Sequence, residues 1–214
     1  MDRARYAHAL RSRQLLLRRG GSPTELAAFE SLCARHGAAL TTARRVATEA
    51  VQEHLGAAFA SIADPALELR VAYAPGGSSD EGEAATKLLN NRAADAQRPS
   101  PAYGPHRDEL DLRLSGRVAR QVASQGQHRA LTLALKAAEA AAVGAARGVE
   151  PILLLDDVSS ELDAERSDAL LRFLGAAHGQ LFLTTTRPEL FEASVLSRSE
   201  TAHFLVEKGT FQRV

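Results

Sequence analysis

Two adjacent carboxylates end an apolar run in the C-terminal half of the chain. Residues 151–157 read Pro-Ile-Leu-Leu-Leu-Asp-Asp, and the two acids are Asp156 and Asp157. A continuous apolar run is typical of a strand that is buried on both faces of a parallel sheet. Acids at the end of such a strand lie at the carboxyl edge of the sheet, where open α/β folds bind ligands. There the first acid is suited to hold Mg²⁺ through its hydration shell, and the second to orient or deprotonate a water molecule.

A second candidate site precedes a long helix upstream of these acids. Residues 123–129 read Ala-Ser-Gln-Gly-Gln-His-Arg, and the residues that follow are typical of an alanine-rich helix over about 127–147. The Ser124 hydroxyl, the Gly126 amide and a helix N-terminus together suit an anion such as a phosphate. A capped helix that binds nothing has the same pattern, so both interpretations stay open at this point.

Composition limits the class of protein. The 214 residues include 26 basic and 26 acidic side chains, 45% hydrophobic residues and one cysteine. This is an ordinary globular composition, which excludes disordered chains, collagen and disulfide scaffolds. The net charge of zero predicts no strong overall field toward nucleic acid or membrane. Neither a membrane segment nor a signal peptide is predicted, so we expect a cytoplasmic protein.

Periodicity predicts the elements that must position the two sites. An Arg-rich helix is expected over 1–19, and helical spacing from 24 to about 60 suggests two antiparallel helices with a break near Gly37. The C-terminal part alternates buried strands with helices, which predicts an α/β fold. The further predicted strands are 67–73, 110–114, 151–155, 181–184 and 205–206, and the further predicted helices are 81–91 and 164–175.

The order and spacing of three segments resemble the ATP-binding-cassette (ABC) ATPases of the SMC and Rad50 type, and within them the RecF-like family. The segments are 104–110 (Gly-Pro-His-Arg-Asp-Glu-Leu), 123–129, and 153–163, which runs from the first acids to Ser-Ser-Glu-Leu-Asp. RecF-like proteins show a Gly-Pro-His-Arg-Asp stretch, a Ser-Gln-Gly-Gln signature and an Asp-Asp-Val…Ser-Glu-Leu-Asp block in this order. The resemblance implies an α/β fold, the C-terminal lobe of an ABC-type P-loop ATPase with an α-helical inserted domain. We therefore expect 1–98 to form the mainly helical insert, and 99–214 the C-terminal half of the ATPase domain.

The resemblance also implies roles for individual residues. Asp156 takes the position of the Mg²⁺-associated acid, and Asp157 takes that of the general base. Most cassette ATPases carry Glu at the second position, so the shorter Asp157 predicts slow hydrolysis. The signature residues implied to contact the ATP of the opposite protomer are Ser124, Gln125, Gly126 and Gln127. The loop implied to cross the dimer interface includes Ser160, Glu161 and Asp163.

Two family features are missing or altered. The phosphate-binding loop Gly-x4-Gly-Lys-Ser/Thr is absent, and none of the three lysines follows such a glycine loop. The chain therefore resembles the C-terminal part of these proteins, and we expect it to be poorly stable and to bind little ATP by itself. The segment 184–186 (Thr-Thr-Thr) stands where many relatives carry a switch histidine, which argues against γ-phosphate sensing there. His106 and Arg107 belong to a family motif but receive no chemical role from the sequence.

For the whole protein, the resemblance implies a weak ATPase that dimerises on ATP and binds gapped DNA or single-strand/double-strand junctions. RecF-like proteins work with RecO and RecR to help RecA load during repair, replication restart and the SOS response, and no membrane association is expected. The Arg-rich segment 1–19 supplies candidate phosphate contacts, whose binding would be salt-sensitive. These candidates are Arg3, Arg5, Arg11 and Arg13. A solvated helix face is the alternative interpretation of the same residues.

Two other functional interpretations remain. Half of a Rad50-like or transporter ATPase fits less well, because no long heptad repeat flanks the lobe and the 104–108 stretch is foreign to transporters. A non-catalytic DNA- or protein-binding module derived from the ATPase would keep the fold without turnover. Replacing Asp157 by Asn distinguishes an ATPase from a non-catalytic binding module, because only an ATPase would then trap its ATP-bound dimer.

Overall fold

The chain forms two compact units in a computed structural model that describes residues 1–63, 66–98, 100–156, 179–187 and 201–213. Unit 1 comprises Met1–Gln52 and Val71–Leu112, and unit 2 comprises Glu53–Arg70 and Arg113–Val214. Unit 1 thus continues past residue 98, where the sequence places its domain boundary. The assignment of 1–98 and 99–214 as separate domains stays a prediction.

Two helices open the chain. Helix α1 spans Asp2–Arg19 and helix α2 spans Pro23–Ile62. Gly20 ends α1 with φ 68°, a left-handed conformation that suits glycine. The start of α2 is a reciprocal cap, because the Glu25 amide donates to the Ser22 hydroxyl and the Ser22 amide donates to the Glu25 carboxylate.

Helix α2 is continuous over 40 residues, so the predicted break near Gly37 is wrong. Gly37 packs against α1, since a Cβ placed there would lie 3.3 Å from Cε2 of Tyr6. Glycine inside a helix costs about 1 kcal/mol relative to alanine, and this close approach of α1 is what the missing side chain permits. Further along, Leu55, Phe59 and Ile62 are buried, as their helical spacing predicts.

Short elements connect α2 to the second half of the chain. Strand β1 is Leu69–Ala74 and helix α3 is Glu81–Asn90, which confirms the predicted strand and helix. Strands β1, β2 (Glu109–Leu114) and β3 (Arg117–Val118) form a sheet in that order, with β2 and β3 antiparallel. The remaining elements are helix α4 (Arg92–Ala96), a 3₁₀ turn (Pro105–Arg107) and helix α5 (Ala119–Val122). The sequence does not predict α4, the 3₁₀ turn, β3 or α5, because each has five residues or fewer and helical or strand periodicity needs a longer window.

Unit 2 contains the elements of the predicted α/β part. Strands β4 (Leu153–Leu155) and β5 (Leu181–Leu183) are parallel with Leu153 opposite Leu181, and β6 (Phe204–Glu207) and β7 (Thr210–Arg213) form an antiparallel hairpin. Helix α6 spans Gln125–Arg147. The predicted helix at 164–175 lies outside the described residues.

The core of unit 1 forms where α1, α2 and α3 meet. Its buried cluster consists of Tyr6, Ala9, Cys33, Ala34, Ala84 and Leu88. Four of the six have small side chains, three alanines and one cysteine, which lets the helix backbones approach closely. Among the described helices, none is long and apolar enough to cross a membrane.

Candidate nucleotide and DNA sites

Asp156 lies at the carboxyl edge of the parallel pair β4 and β5. Leu155 pairs with Leu183, so the next residues, Asp156 and Thr184, are lateral neighbours on that edge. The Thr184 amide donates to the Leu155 carbonyl at 2.9 Å, and the Thr184 hydroxyl donates to Oδ1 of Asp156 at 2.5 Å. Asp156 is exposed and keeps Oδ2 for another partner, so this edge can present a carboxylate to a hydrated cation.

The signature segment forms the N-terminus of α6. The Gln127 amide donates to the Ser124 hydroxyl at 3.2 Å, and the Ser124 amide donates to Oε1 of Gln127 at 2.8 Å, which completes a capping box. In this cap the Ser124 hydroxyl acts as an acceptor and retains its own hydrogen for donation. The amides of Gln125 and Gly126 occupy the first turn of the helix, where backbone donors lack an intrahelical acceptor. A capped helix and an anion site are therefore compatible here.

The other predicted acids and the interface loop cannot be placed. Asp157, Ser160, Glu161 and Asp163 all lie outside the described residues, so their roles stay predictions. Within the described ranges, no group of three or more His, Cys, Asp and Glu side chains is arranged to hold a metal ion. Asp156 is thus the described part of the predicted Mg²⁺ site.

Three of the four arginines predicted to contact DNA are available to do so. Arg3, Arg5 and Arg11 are exposed along α1. The acid of α1, Asp2, is engaged by His36, whose Nδ1 lies 2.8 Å from its Oδ1. That hydrogen bond lowers the pKa of Asp2. The outward face of α1 therefore carries positive charge along its length.

The prediction for Arg13 is wrong, because this side chain is fully buried. Its Nε donates to Glu30 at 3.1 Å, its Nη1 to Asp95 at 2.8 Å and its Nη2 to the Leu88 carbonyl at 2.7 Å. Arg92 also binds Glu30, through both carboxylate oxygens, so two arginines neutralise two acids. Arg13 holds α1, α2, α3 and α4 together and is not accessible to a phosphate.

The Gly-Pro-His-Arg-Asp motif is a 3₁₀ turn fixed from several directions. His106 Nδ1 lies 2.8 Å from the Tyr6 hydroxyl, and its Nε2 lies 2.9 Å from the Pro101 carbonyl. Since a carbonyl only accepts, Nε2 carries a hydrogen, and in the neutral ring Nδ1 accepts from Tyr6. Gly104 has φ 128°, and a Cβ there would lie 2.2 Å from the Tyr6 hydroxyl oxygen. The turn therefore requires glycine at 104.

Asp108 is the acid of this motif, and it points inward. Arg44 Nη1 donates to its Oδ2 at 2.6 Å, the Gly76 amide donates to its Oδ1 at 2.8 Å, and the Tyr73 hydroxyl donates to Oδ2 as well. Burial and this carboxylate raise the pKa of Tyr73 to about 12. Asp108 thus organises the turn, and its charge is matched by Arg44.

Two further side chains of unit 1, Tyr6 and Cys33, have strongly raised pKa values because they are buried. These raised values do not indicate a chemical role. Burial raises the pKa of the Cys33 thiol to about 12. A thiol with such a pKa is protonated at neutral pH and is a poor nucleophile. Both groups belong to the core.

Several partners in these sites were missed by the sequence analysis. The sequence could have predicted Thr184 as the neighbour of Asp156, because both residues follow predicted parallel strands. Arg44 and Tyr73 as partners of Asp108 carry no local signal, since they come from distant elements of the chain. Long-range pairings of this kind become visible only when the fold is known.

Relatives in known proteins are numerous and consistent. No family model matches the chain. The DNA replication and repair protein RecF of Anaeromyxobacter sp. (strain Fw109-5) is 44% identical over 213 residues, which cover 95% of this chain and 57% of that protein. RecF of Myxococcus xanthus (strain DK1622) is 41% identical over 193 residues, which cover 85% of this chain and 51% of that protein. The chain thus spans about half the length of the curated relatives it matches.

Solved structures agree on the fold. The recombination mediator protein RecF in the RecFOR pathway, solved with ATP, matches with a TM-score of 0.76 at 24% identity. That match covers 100% of this chain and 57% of the other, and it shows the α/β fold of the ABC-type ATPase lobe. The chain is a homologue of the DNA replication and repair proteins named RecF and corresponds to their C-terminal part.

Proposed function

We propose that this chain is the signature-bearing part of a RecF-like protein, a weak ATPase that dimerises on ATP and binds DNA. The observation that carries the proposal is the carboxyl edge of β4 and β5, where Asp156 is hydrogen-bonded to Thr184. The carboxyl edge of parallel strands is where open α/β folds bind their ligands, and Asp156 places a carboxylate on that edge. The capped N-terminus of α6 supports the proposal as a second phosphate-binding element.

The residues present fit Mg²⁺ and ATP in part. Asp156 would hold Mg²⁺ through its free carboxylate oxygen, and the metal would neutralise charge that develops on the phosphates. Ser124 would donate its hydroxyl hydrogen, and the amides of Gln125 and Gly126 would donate from the helix N-terminus, to the γ-phosphate bound by the opposite protomer. Gln127 fixes Ser124 in place through the capping box. Asp157 would take a proton from the attacking water.

Two protomers would then share each ATP, so nucleotide binding and dimerisation are one event. The interface loop with Ser160, Glu161 and Asp163 would cross toward the partner's site. A ligand that binds only the dimer shifts the monomer–dimer equilibrium by mass action. Hydrolysis removes the γ-phosphate contacts and so releases the dimer.

DNA would be the substrate on which this switch acts. The exposed basic face of α1, with Arg3, Arg5 and Arg11, supports phosphate binding. By homology we propose gapped or junction DNA as the target, RecO and RecR as partners, RecA loading as the outcome, a part in the SOS response, and a cytoplasmic location.

The catalytic part of the proposal is tested with Asp157→Asn. The variant is made in a chimera in which the N-terminal part of RecF from Anaeromyxobacter sp. (strain Fw109-5) precedes this chain. Asparagine cannot accept the proton, and loss of a general base costs on the order of 10²-fold or more in rate. We expect hydrolysis of radiolabelled ATP to fall by that factor while ATP stays bound to the dimer.

Glu49→Gln is the matched control, because Glu49 is an exposed acid on α2. Its hydrolysis rate should equal that of the unsubstituted chimera. If Asp157→Asn hydrolyses ATP at the control rate, Asp157 is not the base. If the chimera binds ATP and neither variant nor parent turns it over, the non-catalytic binding module is the better description.

A further inference from the structure

We propose that Arg107, presented by the 3₁₀ turn Pro105–Arg107, is a phosphate contact for DNA, a proposal that rests on the proposed DNA-binding function. Neither the resemblance nor the nucleotide site assigns Arg107 a role. The structure holds this one exposed guanidinium on a turn whose other polar groups point inward. The chemical class of the ligand is the phosphodiester backbone.

The turn is rigid, which is the first requirement for such a contact. The Gly104 amide donates to the Gly76 carbonyl at 2.9 Å, and the Arg107 amide donates to the Gly104 carbonyl at 2.9 Å. Arg44 binds the Pro105 carbonyl at 2.6 Å. A Cβ on Gly76 would lie 2.5 Å from Cβ of Arg107, so the loop around Gly76 packs directly under this residue.

The guanidinium of Arg107 is oriented by its own hydrogen bond. Its Nε donates to the Pro101 carbonyl at 3.0 Å, and His106 Nε2 reaches the same oxygen at 2.9 Å. Both lone pairs of that carbonyl are thus used. The bond leaves the terminal nitrogens Nη1 and Nη2 at the exposed end, and this planar pair of donors matches two phosphate oxygens. Holding the side chain in place beforehand reduces the entropy lost on binding.

The acid next to Arg107 in the chain does not oppose an anion at this position. Asp108, the adjacent acid, points inward and is neutralised by Arg44, so it does not compete for Arg107. His106 links the turn to Tyr6 on α1, the helix that carries Arg3, Arg5 and Arg11. The link enters α1 through the buried Tyr6, so the turn belongs to the same unit as α1 and would be a phosphate contact separate from Arg3, Arg5 and Arg11.

The test measures how DNA affinity depends on salt for Arg107→Gln in the chimera described above, with Mg²⁺ and ATP present. The probe is a fluorescein-labelled duplex with a single-stranded tail, and anisotropy is recorded over a series of KCl concentrations. Each phosphate contact contributes about 0.9 to the slope of log K against log salt on duplex DNA. We expect the magnitude of the slope to fall by about 0.9 in Arg107→Gln and to be retained in Arg107→Lys, which keeps the charge.

Arg35→Gln is the matched control. Arg35 is exposed on α2, and it lies nine residues before Arg44, which places it on the opposite side of that helix. The control should leave the slope unchanged, and circular dichroism confirms that each variant is folded. If Arg107→Gln folds less well, the slopes of Arg107→Lys and Arg107→Glu are compared instead. The proposal requires the slope of Arg107→Lys to be the steeper of the two.

Three results overturn the proposal in distinguishable ways. If Arg107→Gln keeps the parent slope while Arg11→Ala lowers it, α1 binds DNA and Arg107 does not. If Arg35→Gln lowers the slope as much as Arg107→Gln, the effect is one of net charge. If the unsubstituted chimera shows no salt-dependent DNA binding in the presence of Mg²⁺ and ATP, the proposed DNA function fails together with this inference.

Discussion

Arg11 and Arg13 are two residues apart on α1, but one side chain faces solvent and the other is part of the core. Arg11 is exposed, whereas Arg13 is fully buried between Glu30 and Asp95. A buried charge persists only when it is paired and hydrogen-bonded. The side chain of Arg13 is therefore committed to the fold, and that of Arg11 is available to a ligand.

Truncation of Arg13 should unfold unit 1 far more readily than truncation of Arg11. Arg13→Ala leaves Glu30 and Asp95 buried with one fewer cation, and breaking such a pair costs about 3–5 kcal/mol. Arg11→Ala should change the free energy of unfolding by less than about 0.5 kcal/mol, the usual range at the surface. Urea unfolding followed by circular dichroism measures both values.

Arg11→Ala, the variant with the smaller effect on stability, should have a direct effect on DNA binding. Arg11→Ala is expected to weaken duplex binding and to reduce its salt dependence, because one phosphate contact is lost. Equal stability losses in the two variants would contradict the assignment of Arg13 to the core. Unchanged DNA affinity in Arg11→Ala would leave α1 as a solvated helix face.

At the scale of elements, the helices and strands longer than five residues follow from periodicity in the sequence. The predicted helix over 81–91 and the apolar spacing of Leu55, Phe59 and Ile62 are examples. The break in α2 was predicted wrongly because Gly37 has a low helix propensity, and tertiary packing against Tyr6 overrides that preference. The partners of Asp108 could not be foreseen, because they come from elements far away in sequence.

The two glycines of α2 should respond differently to alanine. Apart from the local helix backbone, no atom of the described residues lies within 4 Å of a Cβ built on Gly56, so Gly56→Ala should stabilise the chain by up to about 1 kcal/mol through helix propensity. A Cβ on Gly37 meets the Tyr6 ring at 3.3 Å, so Gly37→Ala should gain less or lose stability. Thermal unfolding of the two variants checks this. A larger gain at Gly37 than at Gly56 would show that α1 does not pack against α2 as described.

At the scale of the whole molecule, the proposed nucleotide site combines pieces from two protomers. The described pieces are the carboxylate edge with Asp156 and Thr184, and the capped signature helix at Ser124. The sequence places Asp156 at a strand end and Ser124 at a helix start, because both are local features, and their role toward a nucleotide stays a proposal. The contacts that these two pieces would make across the proposed dimer are tested by measuring assembly of the protein.

The central claim is that ATP joins two protomers through the signature segment, and light scattering of the chimera tests it most directly. The molar mass should double with Mg²⁺ and ATP and return to the monomer value without them. Ser124→Arg should abolish the doubling, because its side chain would fill the space of the γ-phosphate, whereas Ser31→Arg, exposed on α2, should not. A monomer mass with ATP demonstrably bound, or doubling that survives Ser124→Arg, would contradict the account.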